Sequence, residues 1–266
     1  MTYSYDVLIK CHFFFSYIYI EGIIPRSMSN IFQHLNHQKQ VESTVSMSFI
    51  QIYRENIQDL LSASIVNGQG SHLVEENLAI REDPQKGFYV EGLQEYVVRS
   101  YEEAEALLNL GLENRAIAAT LMNSTSSRSH TVITIIIEQK GNIPTASEDS
   151  EDNLKAAHKF SSAYRVLRSK LLMVDLAGSE RVRKTVSKGT RLDEAKSINT
   201  SLSALGNVIA ALAESNMSHV PYRDSKLTKI LHDSLGGTAS TSLVATVGPV
   251  PSHYNETLST LQFGSR

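Results

Sequence analysis

The chain has 266 residues, 41% of them hydrophobic and 20% charged, enough for one large domain with a substantial buried core. Its formal net charge of -3 excludes a polycation, so attraction to an anionic partner must come from a local patch. Cys11 is the single cysteine, which excludes an internal disulfide and a cysteine-based metal cage and fits a reducing compartment.

Near the amino end, FFFSYIYI (residues 13–20) is apolar or weakly polar but is bounded by His12 and Glu21. It is too short for a membrane span, which needs about 20 apolar residues. It also lacks the basic start and small-residue cleavage site of a signal peptide, so the chain reads as cytosolic. Val45, Met47 and Phe49 alternate with Ser46 and Ser48, and Ile50 and Ile52 continue the pattern, which predicts a strand. A helix is expected over Tyr101 to Met122, capped by Ser100 and opened by Glu102 and Glu103. TVITIII (131–137) and LLMV (171–174) read as buried strands. Between them, residues 141 to 164 are polar, with Glu148, Asp149, Glu151 and Asp152 clustered, and read as an elongated, solvated and partly disordered hairpin loop. A regulatory acidic tract is the alternative that no residue there supports.

From Asp193 to Glu214, Ala195, Ile198, Leu202, Leu205, Ile209 and Leu212 recur at steps of 3, 4, 3, 4 and 3, which predicts a long helix with one stripe on the core and its other face left for a partner. HVPYRDSKLTKILHDSLGG then supplies a proline-containing loop, a short helix capped by Asp224 or Ser225, and a Gly-Gly stop. TSLVATVGPV is a strand ended by Gly248 and Pro249, and Asn255 to Phe263 a last amphipathic helix. No internal repeat or linker divides the chain, so a single domain is expected.

Two segments carry chemistry. In LLMVDLAGSE (171–180) a hydrophobic strand delivers Asp175 at its carboxyl end, the crevice where open α/β sheets bind ligands. There Asp175 can hold a magnesium shell, and Gly178 can bring its N-H against a terminal phosphate because no side chain intervenes. Alone, the same residues describe only a strand and a glycine turn. The second segment, NSTSSRSH (123–130), is a loop of hydroxyl residues with one arginine between a helix and a strand. Serine and threonine coordinate magnesium and position water, and Arg128 can lock a carboxylate bidentately. Ser129 and His130 do not make a hydrolase dyad, because adjacent strand residues face opposite ways and no third member is evident.

Together with YRDSKLT (222–228), EAKSINTSLSALGNVI (194–209) and IQIYRENIQDLL (50–61), these segments strongly resemble the kinesin motor domain from about Gly22 to Phe263. The resemblance implies an α/β fold, a P-loop NTPase-like mixed central sheet with helices on both faces, missing its first strands. Residues 1–21 then replace those strands and the phosphate loop, and 22–266 form a partial motor domain. IQIYRENIQDLL resembles the family's strand and helix. The family is an ATPase that couples hydrolysis to movement on microtubules, so ATP and Mg2+ are the implied cofactors. By motif, Asn123 joins the nucleotide site, and Ser126 and Ser127 match serines associated with the catalytic water and magnesium. Arg128 matches the arginine that pairs with Glu180, Asp175 and Gly178 match the magnesium-linked aspartate and the γ-phosphate-sensing glycine, and Asn199 matches an asparagine of the following helix. Closing the Arg128 to Glu180 bridge would report the γ-phosphate and shift that helix. RVRKTVSKGTR (181–191) holds five cations and no acid. It resembles the family's microtubule-contacting loop, which brings in Arg181, Arg183, Lys184 and Lys188. Lys196 follows on the helix, with His219, Tyr222, Arg223 and Lys226 beyond. Acidic tubulin is the implied partner, with affinity that falls steeply with salt.

The phosphate cradle G-x-x-x-x-G-K-[ST] is absent. No Gly-Lys pair occurs in the chain, Gly22 is the only glycine before Gly68, and the lysine's slot falls near Ser16. Losing three or four charge-assisted bonds removes on the order of 6 kcal/mol, about four decades of affinity. Residues 7 to 20 are expected to fill part of the gap in the sheet as a substitute strand, the alternative being an exposed edge. QFGSR stops within the family's closing helix, so no neck linker or dimerising heptads are expected. The competing readings are a kinesin-type motor fragment with impaired catalysis, a nucleotide-independent microtubule-binding module, and a motor whose first twenty or so residues come from a mis-assigned coding start. Cytoplasm and the microtubule cytoskeleton are the expected location.

Overall fold

The computed structural model describes residues 3–11, 22–38, 41–62, 77–84, 87–121, 128–141, 165–178, 190–214, 219–237 and 239–265; of 3–11, 119–121, 165 and 190–199 it describes the backbone alone. In chain order the strands are β1 (Tyr3–Cys11), β2 (Val41–Tyr53), β3 (Asn56–Asp59), β4 (Ile80–Asp83), β5 (Gly87–Val90), β6 (Tyr96–Val98), β7 (His130–Gly141), β8 (Arg165–Leu176) and β9 (Ser240–Val244). The helices are α1 (Ile23–His37), α2 (Tyr101–Leu121), α3 (Thr190–Ala213), α4 (Lys226–Ile230) and α5 (Tyr254–Gly264). A seven-stranded mixed sheet runs in the order β3-β2-β7-β8-β1-β9, with β6 also paired to β2, while β4 and β5 form a separate hairpin.

Helices cover both faces of the sheet, as the α/β reading expects. Period-two geometry sends alternate residues of β2 to opposite sides. Val45, Met47 and Phe49 meet Met28 and Phe32 of α1 and Ala104 and Leu108 of α2, while Ile50 and Ile52 join Leu205 and Val208 of α3 and Leu227 of α4. The central strands β2, β7 and β8 are therefore apolar on both faces, which explains why TVITIII and LLMV read as runs rather than alternations. Helix α2 crosses β2 at Gly111, where a Cβ would stand 2.2 Å from the Phe49 ring. Ser100 caps this helix, its hydroxyl accepting from the Glu103 N-H at 3.3 Å. Of the two caps proposed for α4, Ser225 is the one used: it accepts from the Thr228 N-H at 3.1 Å while Thr228 Oγ1 accepts from the Ser225 N-H at 3.2 Å.

Three expectations need correction. First, Ile50 to Leu61 is not strand then helix. Arg54 (φ 50) and Glu55 (φ 61) both occupy the left-handed region, the geometry of a two-residue primed turn, and the chain returns as β3 with Tyr53 opposite Asn56. Second, the substitute strand starts earlier than expected: Tyr3–Cys11 runs parallel to both β8 and β9, so residues 7–11 fill the gap as expected and 3–6 extend it. Its ladder closes with Cys11 opposite Leu176, the last residue of β8, so only its second half falls within the expected span. Residues 12–21 lie outside the described ones. Third, the buried face of α3 is turned from the expected stripe: Ser201, Ala204, Leu205, Val208 and Ala211 are buried, whereas Leu212 is exposed. The hairpin expected for 141 to 164 agrees at its base, where Gly141 pairs with Arg165 in an antiparallel ladder, and 142–164 lie outside the described residues. Among the described residues no helix is long and apolar enough to cross a membrane.

Candidate functional site: the carboxyl end of strand β8

Asp175 stands at the carboxyl end of β8, where its backbone is registered with Thr131 of β7 on one side and Lys10 of β1 on the other, and Thr131 in turn faces Gln51 of β2. Asp175, Thr131 and Gln51 thus form a polar row across the sheet beneath α2, beside a core that is otherwise largely apolar. Arg115, on α2, reaches down to it: Nη1 donates to Asp175 Oδ2 at 3.1 Å and Nη2 to the Ser129 carbonyl at 3.4 Å. Both side chains are largely buried, 13% and 15% exposed, so this is a charge pair shielded from solvent rather than a surface bridge. The neighbouring Asn114 donates to the Leu60 carbonyl at 2.7 Å and fixes α2 against the turn after β3.

Gly178 follows the strand, and Ala177 before it donates its N-H to Nδ1 of His130 at 2.9 Å. Because Nδ1 accepts, the ring hydrogen resides on Nε2, which donates to Ser201 Oγ of α3 at 2.8 Å. Burial, and then the charge of Arg115, push the imidazole down to about 4, so it is neutral near pH 7. One side chain therefore joins the start of β7, the turn after β8 and the long helix.

Of the expected nucleotide-site residues, Asp175 and Gly178 lie here, and Arg128 lies two residues before His130, at the entry to β7. Asn123, Ser126, Ser127 and Glu180 lie outside the described residues, as do Arg181, Arg183, Lys184 and Lys188 of the basic loop. Asn199 and Lys196 lie on α3, where the backbone alone is described. His219, Tyr222, Arg223 and Lys226 gather beside α4, but they are not equivalent. The Tyr222 hydroxyl donates to the Leu235 carbonyl and its ring meets His232 edge-on at 4.5 Å, a packing role. Arg223 is held by Glu82 of β4 through contacts of 2.9 and 3.1 Å, and Lys226 Nζ donates to Asn77 Oδ1 at 2.7 Å. Burial pushes the Lys226 ammonium below its ordinary range, with Glu55 opposing.

Sequence reasoning missed Arg115, Ser201 and Glu82, and it weighed His130 only as a hydrolase residue. A lone cation in the apolar end of α2 (ENRAIAATL) is a usable signal for the first. The others are visible only through contacts distant in the chain.

The donor set answers differently for metal and for phosphate. Asp175 Oδ1 is buried without a hydrogen-bond partner among the described residues, so this oxygen fits a water of a magnesium shell. Among the described residues no group of three or more His, Cys, Asp or Glu is placed to hold an ion by itself. The phosphate chemistry does not fit: HFFFSYIYIE, which joins β1 to the turn before α1, contains neither glycine nor lysine.

A mixed sheet with helices on both faces, and an aspartate-to-glycine turn at a strand's carboxyl end tied to a long helix, define an α/β domain of the open-sheet class, which binds ligands at such strand ends. The kinesin motor domain family model matches residues 18–266. Kinesin-related protein 3 of Dictyostelium discoideum is 42% identical over 248 residues, 93% of this chain and 18% of that protein. Kinesin heavy chain of Drosophila melanogaster is 44% identical over 247 residues, 92% of this chain and 22% of its own length. Among solved structures, that of a fast kinesin superposes with a TM-score of 0.74 at 42% identity, covering 92% of this chain and 61% of that one. A KIF14 dimer with AMP-PNP in complex with a microtubule gives 0.79 at 37% identity, covering 98% and 70%. The chain belongs to the kinesin motor domain family, and it spans about a fifth of the length of these curated relatives.

Proposed function

We propose that this chain is a kinesin-type microtubule-binding unit of the cytoplasmic cytoskeleton, whose ATP hydrolysis is impaired in the sequence as it stands. The observation that carries the reading is that α3 and α4, which bear or adjoin the candidate track cations, share one buried core with the strand that delivers Asp175. A change at the carboxyl end of β8 is thereby mechanically connected to the basic face. Ser126, Ser127, Arg128, Glu180 and Asn199 are the proposed hydrolysis residues and Asn123, Asp175 and Gly178 the proposed nucleotide contacts. Arg181, Arg183, Lys184, Lys188, Lys196, His219, Arg223 and Lys226 supply the proposed tubulin-facing cations, with Tyr222 bracing their scaffold. ATP supplies the chemical free energy in a competent kinesin, and no step through it is assigned to a chain whose phosphate loop offers no cradle.

Replacing Arg183, Lys184, Arg223 and Lys226 together by Ala tests the track reading: co-sedimentation with microtubules is expected to fall at least tenfold, and unchanged binding overturns it. Calorimetry with magnesium and ATP tests the impairment, which tight capture by these residues alone would refute.

A second reading, a nucleotide-independent microtubule-binding module, is favoured by the Arg115–Asp175 pair. A protein cation already holds one oxygen of the carboxylate that the family dedicates to magnesium. Microtubule-stimulated phosphate release separates the two readings, since the module gives none.

A further inference from the structure

We propose that His130 is a positioning residue: its imidazole straps the Asp175–Gly178 turn to helix α3, so that turn and helix move as one unit. This rests on the functional reading above only for its consequence at the microtubule, not for the strap itself.

The geometry is specific to this one side chain. His130 and Ser201 are each 3% exposed, and Ala177 is equally enclosed, so none of the three polar groups has water as an alternative partner. The ring spans the gap with one acceptor and one donor at 2.9 and 2.8 Å. Neither end can leave alone. If the turn withdraws its Ala177 N-H, a buried Nδ1 lone pair is left unmet; if α3 withdraws Ser201, a buried Nε2-H is left unmet. The ring is also fixed in identity. A hydrogen on Nδ1 would oppose the Ala177 N-H donor to donor, and protonating both nitrogens would set a buried cation beside Arg115, the charged group from α2 that bears on it. Leu205 and Val208 of α3 pack against Leu172, Val174 and Leu176 of β8 through apolar contacts, which have no directional preference. The strap thus supplies direction where packing supplies only adhesion.

The test uses the full chain. Two-bond nitrogen-proton correlation of the imidazoles is expected to show His130 as the neutral Nε2-H form throughout pH 5.5 to 8; an Nδ1-H form or a titration in that window overturns the proposal. Exchange of the Ala177 amide is then followed in Ser201→Ala, a substitution on a different element. About tenfold faster exchange is expected, the equivalent of roughly one hydrogen bond. Ser201→Thr, which keeps the hydroxyl, is expected to restore slow exchange. Exchange at Ala177 that is unchanged in a folded Ser201→Ala chain overturns the coupling, as does failure of the threonine to restore it. Microtubule co-sedimentation of the same variants gives the functional arm. Coupling present without any microtubule binding would sink the functional reading and leave the strap standing; binding present without coupling would do the reverse.

Discussion

At the scale of single residues, two buried polar groups lie on opposite faces of the sheet, His130 against α3 and Arg115 on α2. In the unfolded chain His130 takes up a proton near its ordinary 6.5, whereas in the fold it does so only near 4. Above 6.5 both states are neutral and the group adds no pH dependence. Between 6.5 and 4 the unfolded state binds the proton and the folded state does not, so stability falls as pH falls, by about 1.4 kcal/mol per unit. Urea unfolding at pH 8 and pH 5 should register a loss of about 2 kcal/mol from this group. His130→Gln should remove that part of the slope while lowering stability at pH 8. Arg115 presents the complementary case. Replacing it by Met strands a buried carboxylate, and a loss of about 3 kcal/mol is expected at pH 7, whereas Arg115→Met with Asp175→Asn should recover part of it. Full additivity of the two substitutions in a double-mutant cycle would contradict a direct pair.

At the scale of elements, the contact of α2 with β2 is set by the absence of a side chain. Gly111 lets the helix lie on the Phe49 ring, and a methyl group there would overlap it at 2.2 Å. Gly111→Ala gains helix propensity, worth about 1 kcal/mol, but forces the helix off the sheet at a cost of about 1 to 3 kcal/mol. A net loss of stability in thermal unfolding is expected, and a rise in midpoint would show that α2 is not seated there. The β2–β3 hairpin shows a different limit of sequence reading. ENIQDLL has the residues of a helix, yet Arg54 and Glu55 turn the chain back and Glu55 then accepts from the Lys226 N-H at 2.7 Å. Contacts remote in the chain outweigh local propensity at this point.

At the scale of the whole molecule, the proposed track face is partly neutralised from within. The β4–β5 hairpin places Glu82 on Arg223, both well exposed, so the pair is weak and sensitive to salt. Removing that competitor with Glu82→Gln should strengthen microtubule co-sedimentation about two- to threefold at low salt, and the difference should vanish at high salt. Equal affinities at low salt would show that Arg223 does not face the track. The molecule also has one sheet margin whose exposure follows from its strand order. β9 pairs with β1 on one side and has no partner on the other among the described residues, and Leu243, Leu258 and Leu261 are exposed nearby.

By itself the sequence determined the α/β class, the buried strands around TVITIII and LLMV, the extent of the long helix to within a few residues, and the place of Asp175 at the carboxyl end of its strand. Each of these follows from hydrophobic period or from a contiguous motif, both of which are local. Tertiary structure decided what such signals cannot carry. It placed a strand from Tyr3 to Cys11 between β8 and β9, turned the buried face of α3 onto Ser201, Ala204 and Val208, brought Arg115 to Asp175 across 60 residues, and set one imidazole between a turn and a helix. The reason is physical: a hydrogen bond between buried groups depends on where two elements lie in space, and that position is fixed only when the whole core closes around them.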